Sequence, residues 1–236
     1  MDTLKILKKR AWAVVIALLA ALLFSQVAGV VQSSLSAVQT SRLILLDAGH
    51  GGSDPGAAGL DSMTVEKDLN LAIALKLQHY LQQAGYLVQM TRTQDEGLYG
   101  PDDANKKRAD MAERKRLMEE SGADLFVSIH QNSFPDPRYW GPQVFYRKGN
   151  EDGQQLADCV QKQLNAFTAP NNTREIKAND SYYILLNAPM PAAILVECGF
   201  ITNSMESESL RSEAYQKKVA WGIYCGIEEY FAGLSS

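Results

Sequence analysis

The stretch Leu43-Ile-Leu-Leu-Asp-Ala-Gly-His-Gly-Gly-Ser-Asp-Pro-Gly56 combines a short apolar run with a glycine-rich turn that carries a single histidine. A run of this length, Arg42 to Asp47, predicts a buried strand. The glycines after it predict a chain that turns sharply at the strand's C-terminal end. The next periodic segment is 66–84, where Leu69, Ile73, Leu77, Tyr80 and Leu81 share one helical face. Gly85 stops that helix, and 86–91 predict a second strand. Strand, turn, helix and strand in this order are the unit of a parallel sheet covered by helices.

The rest of the chain continues the pattern. A charged amphipathic helix is expected over 106–121 and ends at Gly122, followed by a strand over 124–129. The segment from Gly141 to Tyr146 reads as another strand, and 151–167 as a helix with Leu156, Cys159, Val160 and Leu164 inward. Tyr182 to Leu186 and Ala192 to Val196 read as two apolar strands, and 213–231 as a closing helix. The expectation is one α/β domain over 42–236 with a mostly parallel sheet. The irregular stretches 93–105, 131–141 and 168–180 read as loops around a site. Arg174 and Lys177 in the last of them could meet a charged substrate.

Ahead of this domain, residues 11–31 contain no charged side chain, and Lys5, Lys8, Lys9 and Arg10 precede them. At ~1.5 Å per residue a helix of that length matches a hydrocarbon core of ~30 Å. Segment 1–31 therefore reads as an N-terminal hydrophobic helix, either a membrane anchor with the basic end inside or a cleaved signal segment. Both place the body outside the cytoplasm. Residues 32–41 are small and polar, as in a tether. The net charge of −4 argues against a nucleic-acid partner. The three cysteines lack the spacing of a disulfide framework and read as small buried hydrophobes.

Ligands of open α/β sheets bind beyond the C-terminal strand ends. His50 follows the first strand, His130 ends the strand at 124–129, and Glu197 follows Ala192 to Val196. Glu66 begins the first helix. Two histidines and one glutamate are a standard ligand set for a catalytic zinc. His50, Glu66 and His130 supply it, leaving Glu197 as a second carboxylate for proton traffic. A carboxylate placed directly after a branched apolar run is costly to bury without a role. His79 lies at the edge of a helical stripe and reads as structural. No Lys-Ser or Lys-Thr follows the glycines at phosphate-loop spacing. Cys198 is a conceivable nucleophile without an evident base.

The segments Leu45 to Ala57, Glu66 to Asn70, Met90 to Asp95, Asp124 to Asn132 and Pro191 to Asn203, in this order, resemble the zinc-dependent N-acetylmuramoyl-L-alanine amidases, the type 3 amidases of bacterial cell walls. The resemblance implies a three-layer α/β/α domain around a mixed, mainly parallel sheet. It assigns His50, Glu66 and His130 to zinc and Glu197 to catalysis, and implies hydrolysis of the peptidoglycan amide between the lactyl group of N-acetylmuramic acid and L-alanine. A single domain behind a hydrophobic segment is similar to the germination-specific, spore-cortex amidases, which act in muramic-δ-lactam formation. The implied location is the space between forespore and mother cell. A vegetative autolysin and a zinc carboxypeptidase acting on the stem peptide are the alternatives. The family arginine is matched to Arg108. Ala48 stands where proline is frequent, Cys198 where threonine is, and Glu113 near an asparagine. With no appended wall-binding segment, targeting falls to the N-terminal segment, the groove or an accessory protein.

Overall fold

A computed structural model describes residues 42–234. The apolar run at 11–31 and the tether at 32–41 lie outside the described residues. Among the described residues no helix is long and apolar enough to cross a membrane.

The elements run β1 (Leu43–Ala48), α1 (Glu66–Gln83), β2 (Leu87–Met90), α2 (Lys106–Ser121), β3 (Leu125–Asn132), β4 (Gln143–Tyr146), α3 (Glu151–Thr168), β5 (Lys177–Ala178), α4 (Tyr183–Leu186), β6 (Ala192–Phe200), α5 (Ser204–Arg211) and α6 (Glu213–Leu234). The strands form one sheet in the order β2-β1-β3-β6-β4-β5. All neighbours are parallel except β4, which runs antiparallel to β6. The sheet is therefore mixed and mainly parallel.

Alternation along the strands builds a core on each face. Ile44, Leu46, Val127, Ile129, Ile194 and Val196 join the apolar stripes of α1, α3 and α6. Leu45, Phe126 and Leu195 meet Met118 of α2 and Ile184 and Leu185 of α4. Strands buried on both sides have no polar face to show, which is why they read as continuous apolar runs.

Two expected strands differ from the structure. Tyr182 to Leu186 is a helical turn, with Leu186 N donating to Tyr182 O at 3.1 Å and Asn187 N to Tyr183 O at 3.2 Å. Asn179 Oδ1 accepts from the backbone N–H of Ser181 and Tyr182 and bends the chain just before it. Both neighbours of β6 are already taken by β3 and β4. Four apolar residues carry no period that separates a helical turn from a strand. The strand expected over 192–196 continues to Phe200, because β6 keeps pairing with β3 as far as Asn132 through a register shift beyond His130. Glu197 thus sits inside a strand, opposite His130 and opposite Gln143 of β4.

Helices α3 and α6 share the most extensive helix–helix contact. Gly226 permits it: a Cβ there would lie 2.5 Å from Val160 Cα. Gly226→Ala gains about 1 kcal/mol of helix propensity but forces the helices apart, at a cost of about 1–3 kcal/mol. The expected net result in urea unfolding is destabilisation; a variant at least as stable as the parent would show that the two helices can separate freely.

Candidate active site

The turn after β1 is wound by residues in left-handed conformations. His50 has φ 61°, unusual for a residue with a side chain, and Gly51, Gly52 and Gly56 also have positive φ. Two glycines are required by close approach as well. A Cβ on Gly49 would enter the His130 ring, and one on Gly56 would lie 2.5 Å from Glu66 Oε2 and 2.7 Å from His50 Cδ2.

Carbonyls in such a turn cannot join the sheet ladder, and two buried arginines satisfy them. Arg92 donates to Ala48 O, Gly49 O and Lys67 O at 2.8, 3.1 and 2.8 Å. Arg114 of α2 donates to His50 O at 2.8 Å and to Ala48 O at 3.2 Å, and pairs with Asp47 and Asp110. Asp47 also accepts from Ser128 Oγ at 2.6 Å and Thr91 Oγ1 at 2.8 Å. Burial alone would raise the Asp47 carboxyl, but Arg114 and these hydroxyls hold it below the ordinary carboxylate range. Arg108, matched to the family arginine from sequence, is exposed on α2, whereas Arg114 of the same helix is buried.

His50, Glu66 and His130 converge on this turn, with one ligand atom from each lying within 4.8 Å of the others. His50 Nε2 is 3.3 Å from Glu66 Oε2, and His130 Nδ1 is 2.9 Å from Glu66 Oε1. The imidazoles meet edge to face at 5.0 Å. Asp54 Oδ2 lies 2.9 Å from His50 Nδ1, which orients the ring and leaves Nε2 facing Glu66. Electrostatically the group attracts positive charge. Burial would lower the His50 pKa, but Glu66 and Asp54 raise it to about 9. Burial would raise Glu66, but the two histidines hold it well below the usual range. Two imidazoles and a carboxylate with this preference can hold a divalent metal ion.

Glu197 lines the same cavity of about 320 Å³ as those three residues. Its Oε1 accepts from Tyr182 Oη at 3.3 Å, whereas its Oε2 is buried without a hydrogen-bond partner. Burial pushes its pKa up to about 7, with His130 and Glu66 acting in opposite directions. The structure therefore brings together all four residues singled out from sequence. Asp54 and Tyr182 are site neighbours that the sequence reading left without a role. Asp54 had one signal, its position four residues after His50 in the same turn; Tyr182 was hidden in the segment expected as a strand. His79 is exposed on α1. Cys198 is fully buried in the core on the other face, where burial raises its thiol. It has neither the access nor the acidity of a nucleophile. Cys159 and Cys225 are only partly buried, and none of the three is in a disulfide.

A mixed α/β sheet with two histidines near its strand ends, a helix-borne glutamate completing a group that could hold a metal ion, and a buried carboxylate on the same cavity defines the class: an α/β protein with a hydrolase-type site. The N-acetylmuramoyl-L-alanine amidase profile (Amidase_3) matches residues 44–229. The chain belongs to that family and is an N-acetylmuramoyl-L-alanine amidase acting on peptidoglycan, which sets the carboxypeptidase alternative aside. It is 38% identical over 197 residues to the germination-specific N-acetylmuramoyl-L-alanine amidase of Bacillus subtilis, covering 81% of each chain. It is similar to the CwlD amidase of Clostridioides difficile, solved in complex with the GerS lipoprotein, with TM-score 0.80 and 42% identity over 82% of this chain and 100% of that one. A second N-acetylmuramoyl-L-alanine amidase, from Clostridium difficile 630, matches with TM-score 0.72 and 33% identity over 81% of this chain and 97% of that one.

Proposed function

We propose that the protein is a zinc-dependent amidase that removes stem peptides from spore-cortex glycan, with His50, Glu66 and His130 holding the metal and Glu197 moving the proton. The observation that carries this reading is the convergence of three metal-capable donors within 4.8 Å on a cavity that is also lined by Glu197, whose buried Oε2 has no hydrogen-bond partner. When bound, zinc supplies Lewis acidity toward the amide carbonyl. Glu197 Oε2 takes a proton from the attacking water and returns it to the amine of L-alanine, which leaves poorly unless protonated. A carboxyl raised to about 7 suits both transfers near neutral pH. Tyr182 Oη holds Oε1 and leaves Oε2 without a hydrogen-bond partner. Asp54 fixes the His50 ring, Arg114 holds the His50 carbonyl, and Arg92 holds that of Gly49 beside it.

The spore-cortex assignment rests on the likeness to the germination-specific amidase, and includes a role in muramic-δ-lactam formation. An accessory protein is proposed from the lipoprotein complex of the similar amidase. Location outside the cytoplasm, in the space between forespore and mother cell, and attachment through residues 1–31 are proposed from the basic and apolar N-terminal sequence.

The test is product mass. Full-length protein, incubated with purified cortex and with vegetative peptidoglycan, is expected to release intact peptides beginning with L-alanine, faster from cortex. A chelator is expected to stop release and zinc to restore it. Zinc should also raise the melting temperature, since ligand at a hundred times its Kd adds about 2.7 kcal/mol to stability. Full activity in chelator would overturn the metal assignment, and equal rates on the two walls would overturn the cortex assignment.

A further inference from the structure

The loop from β3 to β4 joins two strand ends on the catalytic rim, since β3 ends beyond His130 and β4 begins opposite Glu197. In ten residues it carries Phe134, Tyr139 and Trp140, which are 43%, 42% and 43% exposed. Half-exposed aromatic rings are costly to keep in water, yet this loop is fixed in place. Phe134 N donates to Thr202 Oγ1 at 3.1 Å, Asn203 Nδ2 donates to Pro137 O at 2.9 Å, and Gly141 N donates to the half-buried Glu206. Arg174 Nε donates to Trp140 O at 2.8 Å, and its guanidinium lies 4.5 Å from the Phe200 ring centroid and 5.5 Å from that of Tyr139.

Tyr139 and Trp140 wall a cleft of about 510 Å³ whose other lining is polar: Asp136, Arg138, Asn172 and Arg174 among it. Asp136 and Arg138 neutralise one another at 2.6 Å. The cleft thus offers aromatic faces beside planar hydrogen-bonding groups, and its lining carries one more arginine than carboxylate. That combination suits a pyranose, which presents an apolar face of C–H groups to an aromatic ring and a rim of hydroxyl and amide groups to polar side chains. Phe200, the floor beneath Arg174 and Tyr139, is three strand residues beyond Glu197, a distance of about 10 Å.

We infer that this cleft is a glycan subsite, which holds N-acetylhexosamine rings of the strand roughly one disaccharide from the amide being cut. The inference rests on the amidase reading above and adds to it a second point of attachment, which fixes the register of the polymer on the enzyme.

The probe is a tetramer of β-1,4-linked N-acetylglucosamine, which has no peptide and no scissile amide. Its binding to the full-length protein is measured by calorimetry and by the fluorescence of Trp140 in a Trp12→Phe/Trp221→Phe background. The double variant Tyr139→Ala/Trp140→Ala is expected to weaken tetramer binding about tenfold, the loss of one or two stacking contacts. It should raise KM for long glycan strands by a similar factor, with the loss falling on KM rather than kcat. Trp140→Phe, which keeps a ring, is expected to recover most of the affinity. A parental melting temperature in the variants establishes that they fold. Unaltered tetramer binding in the folded double variant overturns the inference, as does loss of an accessory protein's binding with tetramer affinity intact. If the parent protein releases no peptide, the amidase reading fails, while the tetramer titration still tests the cleft.

Discussion

Replacing Glu197 with glutamine is expected to lower peptide release by about three orders of magnitude, within the range that a positioned acid–base group contributes. Glutamine has nearly the same shape and still offers an oxygen to Tyr182 Oη, so packing in β6 is preserved. It cannot accept the proton of the attacking water or deliver one to the departing amine. The buried oxygen without a partner becomes part of a neutral amide, which is less costly to bury than a charge. The melting temperature should therefore hold or rise while activity falls, and zinc stoichiometry should match the parent. That split separates a proton carrier from a structural residue. Activity within tenfold of the parent would remove Glu197 from the reaction.

The largest effect on stability is expected at Arg114. The side chain is buried between Asp47 and Asp110 and carries the His50 carbonyl on one nitrogen. Arg114→Met leaves two acids without their partner, and losing one member of a buried pair costs about 3–5 kcal/mol. Urea unfolding should show that loss, and zinc affinity should fall with it because His50 loses a backbone support. Arg114→Lys keeps the charge but cannot fork between two acids and a carbonyl, so it should recover only part of the loss. Acid adds an independent check. Asp47 titrates lower in the folded protein than its ordinary value of about 3.9. Its contribution is therefore fully present above that value and is lost as pH falls through the folded pKa. Below about pH 4 the parent should lose stability more steeply than Asp47→Asn. Identical acid profiles would mean that Asp47 is not held by Arg114.

Sequence alone disclosed the parts of this protein whose pattern is local. His50, His130 and Glu197 stood out because each follows an apolar run, and that run is enough to predict a strand end. Glu66 stood out by opening a helix after a glycine turn. Arg114 remained hidden in a helix with charges on every side. Its burial depends on Asp47, which lies 67 positions away, and no helical period encodes that pairing. Tyr182 was lost for a different reason: the turn it precedes is too short for any period to register. The extension of β6 to Phe200 was equally invisible, because it follows from the shifted register of two paired strands rather than from either strand's composition.

The parallel pairing of β1 with β3 and of β3 with β6 also sets the order in which the protein can mature. None of these contacts is local, and each closes a long loop before any ladder hydrogen bond repays it. His50 and His130 become neighbours only when β1 and β3 are in register, and Glu197 arrives only with β6. The cluster therefore cannot nucleate folding as a short zinc-finger loop does. An ion held by these residues would therefore enter last, after the central sheet is complete.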